Sequence, residues 1–185
     1  MENPEKIVIK KLEAAQRQLN CAIELWFNDG DEVSIHTLAA AAYQITHDIK
    51  RHNGIQRDLL YDALIVKEEY RRDWIKAMKA AQNFFKHAKE DPDPEGTIEF
   101  SPFGNLVFLM TASAGIALLG AKESPEAGAL FFWLLVHEPR LINRDFLEKF
   151  HNVTRIEDLE STRTISKARF FEMYVHQRAK RDLFG

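Results

Sequence analysis

Residues 32–51 read EVSIHTLAAAAYQITHDIKR, and the phase of this stretch decides the fold. Ile35, Leu38, Ala42, Ile45 and Ile49 recur at intervals of three and four, which places them on one side of a helix. At about 100° per residue, His36, Tyr43 and His47 gather on the opposite side. Ala39, Ala40 and Ala41 leave little bulk around them, so another helix can approach closely. The stretch is therefore expected to be covered on both sides, with His36, Tyr43 and His47 lining a polar seam between helices. The simpler alternatives are that these groups face water or are hydrogen-bonded core residues, since buried polar groups are satisfied far more often than they are catalytic.

Working outward, residues 7–27 carry apolar side chains at 8, 12, 15, 19, 22, 23 and 26, the pattern of a first helix. It ends in NDGDE, where Gly30 is expected to take the left-handed cap conformation and Asp31 to cap the next helix. So short a connection predicts an antiparallel hairpin. Residues 52–66 read as a turn and a short helix. A third helix is expected over 67–89, with Tyr70, Trp74, Ala77, Met78, Ala81, Phe84, Phe85 and Ala88 as its apolar stripe, stopped by EDPDPEG because a residue before proline is pushed out of the helical region. Ser101 with Pro102 and Ser124 with Pro125 each look like a cap followed by proline at the first helical position. They would start a fourth helix, to about Gly120, and a fifth, to about His137. A sixth would follow Pro139 to about Asn152, and a seventh would cover roughly Ser161–Asp182. No repeat and no sustained alternation argues for a solenoid or a sheet. The expectation is an all-α fold, one domain over residues 1–185, an antiparallel helical bundle of about six to seven helices. Its first three helices would surround a buried apolar hairpin formed by the fourth and fifth. Phe131, Phe132 and Trp133 read as core, with an oligomer interface as the other use of such a cluster.

The composition narrows the chemistry. A chain of 185 residues fits one core, and 45% apolar with 29% charged residues is ordinary for a globular domain. The net charge of −3, with both signs mixed, shows no basic footprint for a phosphate backbone, so nucleic acid would need a local patch. Cys21 is the single cysteine, which excludes an internal disulfide, fits a reducing compartment, and reads as a small core residue. The N-terminal stretch lacks an export pattern, so a cytoplasmic protein is expected. The charge-free run 100–121 has a strongly apolar part, 106–121, shorter than the ~20 residues needed to span a bilayer, and is read as a buried helix, not a membrane segment.

Asn83 and His87 lie together on the third helix, roughly 120° from its apolar stripe. With Lys86 they are left to face a ligand, a partner subunit or water. Lysines and a histidinium near a helix C-terminus also suit the negative end of its dipole. His36 and His47 sit eleven residues apart, about 16 Å along a helix, too far to share one metal ion. Glu148 and His151 form a single E-x-x-H, where di-iron bundles need two such pairs and two further carboxylates. The pairs Asp48 and His52, Glu32 and His36, and Glu172 and His176 suit surface hydrogen bonds. No Walker loop, G-x-G-x-x-G turn, G-x-S-x-G elbow or H-E-x-x-H is present. No metal and no cofactor is expected.

QLNCAIELWF, HTLAAAAYQI and NFFKHA followed by EDPD, taken in that order, resemble a family of short bacterial all-helical proteins over roughly residues 8–100. That resemblance implies a helical bundle and draws attention to His36, Asn83, Lys86 and His87. More distantly, the chain is similar to HEPN-type helical domains. They imply a small, usually dimeric bundle in which an arginine and a histidine with four to six residues between them cut RNA without metal. Arg144 with His151, and Arg169 with His176, match that spacing, whereas Asn83 and His87 lack the arginine. A histidine can take a proton from a 2′-hydroxyl near neutral pH and an arginine can stabilise the phosphorane. The expected function is binding of a small ligand or a protein partner through the seam of His36, Tyr43, His47, Asn83, Lys86 and His87, in a chain that self-associates, a dimer being favoured. The alternative is metal-independent ribonuclease activity using Arg144 and His151, the one reading with a nucleic-acid partner.

Overall fold

A computed structural model describes residues 6–55, 60, 67–88, 92–141 and 156–184. The described residues fold as α-helices without strands: α1 (Lys11–Phe27), α2 (Glu32–His52), α3 (Glu68–Lys86), α4 (Phe103–Leu118), α5 (Pro125–His137), α6 (Ile156–Thr164) and α7 (Lys167–Phe184), with a short 3-10 turn at Pro139–Leu141. The fold is an all-α bundle. Its contacts gather into two compact units, Met1–Ala22 with Glu32–Ala121, and Ile23–Asp31 with Lys122–Gly185.

α4 belongs to the first unit and α5 to the second. A helix that is apolar all round must be covered on more than one face. α2 covers α4, and α7 with α6 covers α5.

Several boundaries shift for local reasons. The first helix starts at Lys11, four residues later than its apolar pattern, and Val8 is 94% exposed. Cys21, expected in the core, is exposed, while the next residue, Ala22, is fully buried. At the end of α1 the left-handed residue is Asp29, with φ 50°, and not Gly30. The Gly30 N–H closes the helix end onto the Leu25 carbonyl at 2.8 Å. A Cβ at position 30 would lie 3.0–3.2 Å from three Leu25 atoms, so glycine serves close approach there. Ser124 caps α5 as expected, accepting the Ala127 N–H at 3.1 Å, with Pro125 at the first position. Ser101 does not cap α4; Pro102 is already in the helical region and no side chain closes that end. The helix expected over 161–182 is two helices, broken at Ile165 and Ser166. The Ser166 Oγ accepts the Arg169 N–H at 3.3 Å and so starts α7 afresh. The helix expected after Pro139 falls mostly on 142–152, outside the described residues.

Candidate functional site

The polar stripe of α2 is buried throughout, and of the apolar one Ile35 and Ala42 are buried too. His36, Ala39, Ala40, Tyr43, Thr46, His47 and Lys50 are all buried, whereas Leu38, Ile45 and Ile49 are half-buried. The cover is α4. Asn105 meets His36, Phe108 meets Tyr43 with ring centres 5.7 Å apart, and a Cβ on Gly115 would stand 2.6 Å from Thr46 Oγ1. Ten positions along α2, from 36 to 46, match ten along α4, from 105 to 115, so the two helices run parallel. α3 returns between them in sequence and brings Phe85, in its last turn, to His36. Small residues make this approach possible: Ala39, Ala42 and Thr46 on α2, Ala112 and Gly115 on α4.

Of the three polar side chains on α4, two are satisfied by their own helix. Thr111 donates to the Val107 carbonyl at 2.8 Å and Ser113 to the Leu109 carbonyl at 2.7 Å. Asn105, fully buried, is left to bond outside it. Its amide nitrogen donates to the Glu32 carbonyl at 3.1 Å and to Glu32 Oε2 at 2.6 Å. Two acceptors on one side fix the amide orientation, which turns Oδ1 toward His36. The 2.8 Å contact between Oδ1 and His36 Nδ1 is therefore an N–H donated by the imidazole. In the neutral ring the lone pair is then on Nε2.

That lone pair is buried and has no hydrogen-bond partner. His36 is 2% exposed. Phe85, Phe100 and Phe108 stand nearly perpendicular to the imidazole at centroid distances of 5.7, 5.1 and 5.0 Å. Burial pushes the His36 pKa below its ordinary 6.5, the Lys86 charge pushes it further down, and the Asn105 bond opposes both. Lys86 is exposed as a residue, yet partial burial of its amino group lowers its own pKa. His36 is thus a neutral base, its tautomer set by Asn105, with a buried unused acceptor on a ring that three phenyl rings pack against and a cation acting on it.

The structure brings His36, Tyr43 and His47 to one buried face of α2, and the Lys86 charge acts on His36. Tyr43 and His47 pack ring against ring at 5.9 Å. Asn83 and His87 are exposed at the end of α3, where the Asn83 carbonyl accepts the His87 N–H at 2.9 Å. The inward face of α3 is rotated by about one residue from the expected stripe. Arg71, Trp74, Ile75, Met78, Lys79, Gln82 and Phe85 turn inward, while Tyr70, Ala77 and Phe84 are exposed. The Trp74 indole, donating to the Leu60 carbonyl at 2.6 Å, anchors this phase, and the long stems of Arg71 and Lys79 can lie along apolar surface. Asn105 was missing from the sequence-derived set. Its signal is an amide in a sixteen-residue helix that carries no charge.

In the second unit, Phe132 and Trp133 are half-buried in the ring cluster and Phe131 is 41% exposed. Arg169 and His176 both line an open groove with Glu24, Asn28, Phe171 and Glu172, and Arg169 is paired with Glu172. Arg144, Glu148 and His151 lie outside the described residues. Among the described residues no group of three or more His, Cys, Asp or Glu could hold a metal ion, and no helix is long and apolar enough to cross a membrane. The chain matches no known family model, no curated protein and no solved structure.

Proposed function

We propose that the chain binds a small molecule in its first unit, at the Nε2 edge of His36. Tyr43 and His47 continue the wall along α2, and Asn83, Lys86 and His87 stand at the exposed end of α3 beside it. The observation that supports this reading is the buried lone pair. An unsatisfied buried acceptor costs about 1–3 kcal/mol, and here a two-residue relay from Glu32 through Asn105 orients it in a fixed direction. Local rules of polar satisfaction are broken chiefly at functional sites. A reducing, cytoplasmic setting suits the exposed thiol of Cys21.

The test is native mass spectrometry of the purified full chain beside His36→Leu, with a fragment library screened by the ring nitrogen resonances of His36. A small species released from the wild type but not from the variant supports the reading. A wild type that carries nothing, and whose His36 Nε2 resonance no fragment shifts, overturns it.

A further inference from the structure

Resting on that reading, we propose that the His36 site selects an uncharged aromatic molecule carrying a weakly acidic hydroxyl, a phenol, over apolar molecules of the same shape and over cations. The direction of the relay carries the argument. Glu32 offers two acceptors to Asn105, so Asn105 offers an acceptor to His36, and His36 offers an acceptor to whatever lies beyond. The imidazole cannot donate there without gaining a proton, and its burial opposes that gain. The complementary ligand group is therefore a donor.

The walls define the rest of the molecule. Phe85, Phe100 and Phe108 pack edge-on with the imidazole, so the surroundings of His36 are aromatic, and a flat aromatic body meets such rings edge-to-face or offset, worth ~0.5–1.5 kcal/mol per pair beyond area. Three phenyl rings alone would also suit a cation. Lys86 reverses that preference, because its charge is close enough to act on His36 and repels a second positive group. The same charge favours an oxygen that gains negative character as its proton is drawn toward Nε2, which distinguishes a phenol from an aliphatic alcohol. In this low-dielectric surrounding a single O–H to nitrogen bond is strong.

Phenol and toluene, nearly identical in shape, are the probes. Both are titrated into the full chain with nitrogen-15 in its histidines, and long-range proton–nitrogen spectra report the His36 ring. Phenol is expected to move the Nε2 resonance from the position of a bare lone pair to that of a hydrogen-bonded one. It should bind at least about tenfold more tightly than toluene, since a site built around a hydroxyl discriminates against analogues that lack it. In His36→Leu the two affinities should become equal. Lys86→Ala, an exposed position where folding is not at stake, should weaken phenol severalfold and leave toluene unchanged. If toluene binds as tightly as phenol, or phenol binds without moving Nε2, the selectivity is overturned while ligand binding stands. If neither probe binds and Nε2 does not respond, both the selectivity and the binding reading fall.

Discussion

In the first unit, α4 is covered by a stripe of α2 that includes His36, Tyr43, Thr46 and His47. In the second, α5 meets α7 through rings: Phe132 and Trp133 against Phe170 and Tyr174, with Phe27 stacked on Phe171 at 4.7 Å. Both covered helices are nearly free of charge, yet their covers differ in kind. Ring contacts are numerous and weakly directional, so each supports the others. The Glu32, Asn105 and His36 relay is directional, and each bond presupposes the one before it. One unit therefore gains stability by redundancy, and the other holds a reactive nitrogen in a set orientation with little redundancy. A difference of this sort separates a scaffold from a site.

The strongest challenge to this contrast is Phe27→Ala. Its ring touches Trp26, Trp133, Phe170 and Phe171, and its loss should cost about 3–5 kcal/mol in denaturant unfolding. Trp26 and Trp133 report the second unit and Trp74 the first. If Trp74, as the sole remaining tryptophan, reports an equal loss, the two units melt as one and the contrast breaks. Gly115→Ala should cost about 1–3 kcal/mol, because a Cβ there meets Thr46 Cβ at 3.0 Å as well as its hydroxyl. Thr46→Ala in the same chain should return part of that loss. Gly128→Ala, facing the movable Tyr174 hydroxyl at 2.9 Å, should cost less by the same measurement.

Asn105→Ala sharpens the comparison further. It leaves the buried His36 Nδ1–H without its acceptor and Glu32 Oε2 without its donor, and should cost about 1–3 kcal/mol. Asn105→Leu with His36→Leu removes both ends of that bond and should be much closer to neutral, an outcome that ring truncation in the second unit cannot show. Acid gives a smaller effect with a definite sign. The folded His36 has a pKa below 6.5, so as pH falls through 6.5 the unfolded chain takes up a proton that the folded chain refuses. Stability should decline from there until the lowered folded value is reached, at no more than about 1.4 kcal/mol per pH unit. Stability curves at pH 7 and 5 measure it, and His36→Leu should remove this component. The smallest effect belongs to Lys167→Ala, which loses a surface contact to the Trp26 ring and an ion pair with Asp29, together about 0.5–1 kcal/mol by thermal melting.

The helices were legible because their periods were strong, and the burial of His36, Tyr43 and His47 was legible because alanines flank them. Elsewhere tertiary terms won. The phase of α3 turned on a single indole bond to the Leu60 carbonyl, which no local pattern announces. The break at Ser166 depends on a side chain competing with the backbone, and serine is common enough that the competition is invisible until the chain turns. The partners of α4 and α5 were not legible, because apolar content says that a helix must be covered and does not say by what. Asn105 escaped for the same reason: its importance is set by Glu32, seventy-three residues away, and not by its neighbours.

Glycine at 115 acts at a distance as a gauge. The helices it lets touch at one end are the same two that must span 2.8 Å between an amide oxygen and an imidazole ten residues earlier. A methyl group at 115 would press on Thr46 and, by widening the gap between the two helices, is expected to lengthen that bridge. A designer who wished to retune the basicity of His36 without touching its surroundings would begin there.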